Sequence, residues 1–281
     1  MTWTVSSSPT EFHTGAGQFL AAHRAENTVL LTLAHRLGRD GLHVFGPQPP
    51  RFGWWRAEGA ESVGAAFLWT PPFPLRLGRM PVTAAGELAT VLHGQGERPS
   101  GVGGAKAAVA AFTEVWQRLT GAATEVEVEE RLYRLGELTP PTPAGPVRPA
   151  RPAEHGLLTR WSEAFFTEVG VPPVPDIPGV IAGRIADGTL HVREDGGRPV
   201  SMAGVSPVLA GMSRIGPVYT PPELRGRGYA GGVVAAGCAR AVAAGAVEVL
   251  LYTDLANPTS NSLYQRLGFR AVEDCVVLKF T

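Results

Sequence analysis

The sequence predicts an α+β fold of two tandem domains, each a mostly antiparallel mixed sheet flanked by helices. Three observations carry that reading. A proline run splits the 281 residues into halves of ordinary domain size. Each half repeats one order of elements: helix, antiparallel strands, helix, strand. Each also carries a Thr-Pro-Pro phrase behind an aromatic residue, Trp69-Thr70-Pro71-Pro72 and Tyr219-Thr220-Pro221-Pro222, as a duplicated domain would.

The dividing run is Thr139 to Pro152, with proline at six of fourteen positions. Each proline lacks a backbone donor and restricts the residue before it, which excludes a helix or a central strand. A semi-rigid linker remains. The expected domains are residues 1–138 and 150–281, joined by a linker over 139–149.

In the first half, Leu30, Leu33, Ala34 and Leu37 recur at helical spacing, with Gly38 as a stop. Strand-like pieces follow at Leu42 to Phe45, Phe52 to Arg56 and Ser62 to Thr70, the middle one weakened by Gly53. Val109, Phe112, Trp116 and Leu119 mark a second helix ending before Gly121. In Thr124 to Leu135, Val126 and Val128 alternate with glutamates as in a half-exposed strand.

The second half opens on a helix over Leu157 to Val169, with Leu158, Trp161, Phe165 and Val169 on one stripe. Strands are expected at Thr189 to Arg193, Pro199 to Val205 and Ile215 to Thr220. An alanine-rich helix runs from Tyr229 to Ala244, and Val247 to Thr253 is a strand of the buried, parallel kind. A short helix over Asn257 to Leu267 and a hairpin over Phe269 to Phe280 complete the chain.

Composition narrows the function classes. Lysine and arginine number 25, as do aspartate and glutamate. That balance argues against a general nucleic-acid binder, which needs a basic surface to displace counterions. The richest apolar stretch, Gly231 to Leu251, is broken by Arg240 and Glu248, so no membrane span is expected. The first thirteen residues carry Glu11 and no lysine or arginine, unlike a signal peptide. Two cysteines and seven scattered histidines form no metal-binding pattern. The sequence reads as cytoplasmic, without metal, membrane or nucleic-acid partners.

One stretch carries chemistry, Gly216 to Gly231, GPVYTPPELRGRGYAG. A strand reaches Thr220, Pro221-Pro222 turns the chain, and a glycine-rich loop opens directly into a helix. The first turn of a helix leaves backbone N–H groups without partners at the positive end of its dipole. Gly226 and Gly228 let that backbone approach a ligand, and Arg225 and Arg227 add positive charge. A phosphate-bearing cofactor is the natural occupant. Gly226, Gly228 and Gly231 match the dinucleotide fingerprint, but Pro221-Pro222-Glu223 intervenes and too little chain follows for a doubly wound sheet. A P-loop lacks its Gly-Lys-Ser/Thr.

Arg225-x-x-Gly228-x-Ala230 resembles the R/Q-x-x-G-x-G/A signature of the GNAT N-acetyltransferase superfamily. Downstream, Asn257-Pro258-x-Ser260-Asn261-x-x-Tyr264-x-x-Leu267-Gly268-Phe269 is similar to that family's closing motif. The resemblance covers about residues 150–281 and reaches the first half only through its element order. It implies two acyl-CoA N-acyltransferase-like domains, the second binding acetyl-CoA as cosubstrate and the first a degenerate copy. Implied cofactor contacts are Val218, Tyr219 and Thr220 on the fourth strand, then Arg225, Gly226, Arg227, Gly228, Tyr229 and Ala230. Asn257 and, more weakly, Ser260 follow from the second motif, with Tyr264 as general acid for the departing thiolate. The implied reaction is direct acetyl transfer to a small-molecule or peptide amine.

The second motif also reads without the family. Asn257 is a good N-cap with Pro258 behind it, and Gly268 is a fitting C-terminal stop. Asn257, Asn261 and Tyr264 fall on one helix face, offering two amides and a phenol. Plainer readings stand beside each assignment. Gly226 and Gly228 fit an ordinary turn, Asn257 a cap alone, and Tyr264 a core tyrosine. Glu223 reads as a loop residue, Cys238 as a small buried hydrophobe, and His191 as a lone histidine without catalytic support. Gly101 to Lys106 hints at a second cradle but lacks the arginine spacing. The rival function is a non-catalytic acyl-CoA-binding module that senses cofactor level.

Overall fold

In the computed structural model, which describes residues 2–141, 145–170 and 176–281, each half of the chain runs through one element order. The first half holds β1 (Thr2–Ser6), α1 (Pro9–Ala22), α2 (Thr28–Asp40), β2 (Arg51–Arg56), β3 (Ala65–Trp69) and β4 (Leu75–Leu77). It continues through α3 (Val82–Gly94), β5 (Gly101–Ala105), α4 (Lys106–Thr120) and β6 (Thr124–Leu135). The second half matches it element for element. Its members are β7 (Val147–Pro149), α5 (His155–Val169), α6 (Ile177–Ala186), β8 (Leu190–Asp195), β9 (Arg198–Val205) and β10 (Met212–Tyr219). Then come α7 (Tyr229–Ala243), β11 (Glu248–Asp254), α8 (Pro258–Arg266) and β12 (Phe269–Phe280).

The duplication is thus present, but one clue to it is accidental. Trp69-Thr70-Pro71-Pro72 ends β3, whereas Tyr219-Thr220-Pro221-Pro222 ends β10, the counterpart of β4. The units also divide elsewhere than in the proline run. One unit is Met1–Arg131 with Glu273–Thr281, and the other is Leu132–Val272. The expected linker contains β7, which pairs antiparallel with β8 at Val147↔Arg193 and Pro149↔His191. Proline is tolerated there because β7 is the edge strand. Pro143 of that run lies outside the described residues, as does the stretch 171–175.

In the first unit the strand order is β1-β2-β3-β4-β5-β12. Phe12, Phe52, Trp54 and Leu68 pack with Leu30 and Leu37 against α1 and α2. Phe67, Trp69, Leu75 and Leu77 pack with Leu88, Phe112 and Trp116 of α3 and α4. Gly53 does not interrupt β2, and a Cβ there would collide with the Phe67 ring. Gly101 to Ala105 forms a strand that pairs β12 antiparallel at Gly101↔Lys279 and β4 in parallel at Val102↔Leu75. The hint of a second cradle there is a sheet contact: a Cβ at Gly101 would strike the Leu278 carbonyl.

Several boundaries differ from the sequence reading for local reasons. Leu42 to Phe45 is a turn. Gly38 lies inside α2, and Gly41 at φ 92° ends it. Val247 is 70% exposed and precedes β11. Phe269 to Phe280 is one long strand, with no hairpin. Helix α1 has a sparse stripe of Phe12, Ala16 and Leu20, and α6 one of Ile177, Ile181 and Ile185.

The second unit layers helices on both faces of β11-β10-β9-β8-β7. Helices α7 and α8 cover Val205, Ile215, Val249 and Leu251. Helices α5 and α6 cover Leu190, Val192 and Met202. No helix among the described residues is long and apolar enough to cross a membrane.

Candidate functional site

Two features of the second unit meet near the start of α7. The first is the parting of β10 and β11. They pair in parallel at Met212↔Glu248, Ser213↔Val249 and Arg214↔Leu250, and no further pairing is seen among the described residues. Both strands continue past that point, β10 to Tyr219 and β11 to Asp254. On its other edge β10 shifts register between Ile215 and Val218, then pairs β9 at Val218↔Ala203 and Tyr219↔Met202. Past Arg214, alternate backbone groups of β10 therefore face the parting rather than a strand.

The second feature is the loop that opens α7. A short 3-10 turn over Pro222–Leu224 closes with Arg225 N–H donating to the Pro222 carbonyl at 3.2 Å. Gly226 and Gly228 take φ of 76° and 77°, values that glycine adopts without strain. Gly228 is the N-cap of α7, and the first amide to find a partner is Gly232, bonding the Gly228 carbonyl at 3.2 Å. The six consecutive N–H groups from Gly226 to Gly231 have no hydrogen-bond acceptor among the described residues. Space is open above both positive-φ glycines, where an added Cβ would meet nothing within 4 Å. An unpaired run of amides at a helix N-terminus, beneath open space, has the donors and the room that an anion requires.

The flanking side chains brace this loop. Arg225 donates to the Thr220 carbonyl at 2.8 Å and forks onto Glu168 of α5 at 2.7 and 2.9 Å. Its guanidinium also lies 5.8 Å from the Tyr219 ring centroid. Arg227 is exposed and reaches only the Glu223 carbonyl at 3.4 Å. Tyr229 turns under the helix, its hydroxyl donating to Asp195 and its ring 5.5 Å from the Arg193 guanidinium. Arg193 is 9% exposed, with no hydrogen-bond partner at Nε or Nη1 among the described residues, and places a buried cation beside the first turn of α7. Thr220 shares a 2.9 Å hydrogen bond with Ser201. Val218 packs against the core under α7, and Ala230 is half-buried.

Helix α8 departs from expectation. Asn257 caps it by accepting from Ser260 N–H at 3.0 Å and is otherwise exposed. Asn261 is consumed inside the protein: its Nδ2 donates to the Asp254 and Asn257 carbonyls, and its Oδ1 accepts from Tyr133 at 3.0 Å. Gln265 donates to the same phenol at 3.2 Å. Tyr264 is 7% exposed and packs between the Tyr133 and Phe269 rings, at 6.5 and 5.9 Å. Burial, then the nearby Cys238, pushes its pKa up to about 12. The three polar groups therefore do not form one solvent-facing row. Tyr133, Glu168, Asp195 and Arg193 escape a reading of the sequence because their partners lie 34 to 132 residues away.

Cys238 is fully buried as expected, its thiol pushed up to about 12 by burial. His191 is 4% exposed, with no partner for Nδ1 among the described residues. Burial, then the charge of Arg240, pushes its pKa down to about 4 from 6.5. Between about pH 6.5 and pH 4 the unfolded chain takes up a proton that the folded chain refuses. Stability therefore falls as pH drops through that window, by at most about 3 kcal/mol. Urea denaturation across this range should show the slope, and His191→Gln should flatten it. No group of three or more His, Cys, Asp or Glu side chains suited to a metal occurs among the described residues.

Residues 197–278 match the family model described as FR47-like protein. No curated protein matches the chain in sequence. Among solved structures, the chain is similar to a GNAT-family acetyltransferase from Colwellia psychrerythraea, at 12% identity over 100% of this chain and 99% of that one, TM-score 0.61. A GCN5-related N-acetyltransferase from Sphaerobacter thermophilus gives 19% identity over 99% and 95%, TM-score 0.60. A Drosophila protein gives 13% over 99% and 98%, TM-score 0.68. The chain has the GNAT acetyltransferase fold along its whole length, in tandem α+β form.

Proposed function

We propose that the chain moves an acetyl group from acetyl-CoA to a primary amine by direct transfer in a ternary complex. The second unit holds the cosubstrate, and the first is a degenerate copy that holds none. The observation carrying this reading is the run of six unpaired amides, Gly226 to Gly231, under open space at the start of α7. Those amides suit the two linked phosphates of coenzyme A, with Arg227 and the buried Arg193 adding positive potential. Arg225 acts on the loop, since Glu168 and the Thr220 carbonyl already engage its guanidinium.

When bound, acetyl-CoA supplies an activated acetyl thioester. The chain's part is to orient that group and to place donors around it. Val218, Tyr219 and Thr220 border the parting of β10 and β11, where backbone N–H groups of the strand edge can polarise a carbonyl oxygen. Asn257 and Ser260 open α8 beside Asp254, at the end of β11. Tyr264 stays protonated at all physiological pH, because its pKa is raised to about 12. A phenol that weak as an acid stabilises a departing thiolate chiefly by donating a hydrogen bond.

Release of free thiol from acetyl-CoA, followed across a panel of primary amines, tests the activity. In that assay Tyr264→Phe is expected to lower kcat about 100-fold and leave KM for acetyl-CoA within twofold. Unchanged turnover would remove Tyr264 from the chemistry while leaving the cradle in place. Binding of coenzyme A without thiol release for any amine would favour the sensing module.

A further inference from the structure

We propose that the acceptor amine carries an anionic oxygen group, a carboxylate or a phosphate, received by Arg184 and Arg214 where β10 parts from β11. The inference rests on the acetyl-transfer reading and names its substrate class.

The face is fixed by strand alternation. Val205 and Ile215 point into the core under α7, so Gly204, Arg214 and Gly216 point to the opposite face, toward α5 and α6. Arg184 of α6 reaches that face, and its Nη1 donates to the Gly216 carbonyl at 3.1 Å. Gly204 makes room for it, since a Cβ there would collide with the guanidinium. Arg214 stands two residues before Gly216 on the same face, in the last pair of the β10–β11 ladder, Arg214↔Leu250. Its backbone is pinned, because its N–H donates to Ser206 Oγ at 2.9 Å and its carbonyl accepts from Ser206 N–H at 2.9 Å. Tyr252 lies on this face too, two residues past Leu250 and beyond the last pair.

Two half-buried guanidinium groups thus sit together, and neither meets a carboxylate among the described residues. Each is pushed below the usual arginine range, by burial first and, for Arg184, then by the charge of Arg214. At another half-buried site the chain neutralises such a cation. Arg148, with 18% of its side chain exposed, holds both Glu154 and Glu194. On the face in question, Glu248 of β11 is drawn to Arg134 at 3.7 Å. An oxyanion brought by the acceptor supplies the missing partner and relieves the repulsion, and guanidinium forks match carboxylate and phosphate geometry. An acceptor held this way has its amine beside the open edge of β10, where acetyl transfer is proposed.

The test compares matched amines at fixed acetyl-CoA: glycine with glycinamide, and phosphoethanolamine with ethanolamine. The charged member of at least one pair should show a kcat/KM about tenfold or more above its neutral partner, and which pair responds identifies carboxylate or phosphate. Arg214→Gln should erase that preference, Arg184→Gln should reduce it, and KM for acetyl-CoA should stay within twofold. Calorimetry of N-acetylglycine and inorganic phosphate, with coenzyme A present, reads the anion site without turnover. One of them should bind the wild type and bind Arg214→Gln at least tenfold more weakly. Equal use of charged and neutral amines, or no anion binding to the wild type, overturns the proposal. If no amine is acetylated, the transfer reading fails, and the calorimetry still decides the anion site. If Arg214→Gln does not fold, Arg184→Gln and the wild-type comparison decide it.

Discussion

Gly228→Asp should weaken coenzyme A binding by at least about 100-fold, whereas Gly228→Asn should weaken it no more than about tenfold. Gly228 holds φ at 77°, and an added Cβ would meet no heavy atom within 4 Å, so the cost of substitution is conformational. Aspartate and asparagine both enter the left-handed region more readily than other side chains. Stability should therefore drop by only about 1 kcal/mol in either variant. The two differ by a negative charge set among six unpaired amides, where it would occupy and repel the diphosphate position. Isothermal titration with coenzyme A gives the affinities, and thermal melting shows that both variants fold. Equal affinities for the two would mean that charge at this loop is irrelevant to the ligand.

Gly268→Ala should be the most destabilising single methyl in the second unit, at about 3 kcal/mol or more. Gly268 ends α8 at φ 99°, and a Cβ there would run into the backbone carbonyl of Glu137. That carbonyl cannot swing away cheaply, because Gly136 N–H donates to the Gly268 carbonyl at 2.9 Å and Thr139 N–H to that of Leu267 at 3.0 Å. Gly121→Ala is the control. It has a similar conformation, φ 75°, with nothing within 4 Å of the added carbon, and should cost only about 1 kcal/mol. Urea denaturation of both variants separates left-handed strain from backbone collision. Equal losses would show that the close approach at Gly268 relaxes freely.

Much of the second unit is legible because its signals are local. The glycines of Arg225 to Ala230, the apolar run of β11 and the Asn257-Pro258 cap each act within a few residues, and each element stands where those signals put it. What sequence does not carry is long-range. The face shared by Asn257, Asn261 and Tyr264 follows from helical spacing, but Tyr133, more than a hundred residues earlier, claims Asn261 from the inside. Arg225 reads from the sequence as a positive charge beside the glycines, and the sequence gives no sign that Glu168, 57 residues upstream, holds its guanidinium. The division of the chain is displaced for a related reason. Pro146 precedes and Pro149 ends a usable edge strand, while the last nine residues, Glu273–Thr281, return to the first unit. Helix α3, built on Ala84, Ala85, Leu88 and Ala89, buries mostly small side chains whose periodicity is faint. Composition anticipates none of these pairings.

The decisive observation is an amide-resolved titration with coenzyme A, followed by nitrogen–proton correlation spectra. The amide protons of Gly226 to Gly231 should move downfield together and saturate at one dissociation constant, because each exchanges water for a phosphate oxygen. Dephospho-coenzyme A, which keeps the linked diphosphate, should reproduce the shifts, and pantetheine, which lacks it, should not. Tight binding with those six resonances unmoved, or equal shifts from pantetheine, would contradict the cradle and with it the acetyl-transfer function built on it.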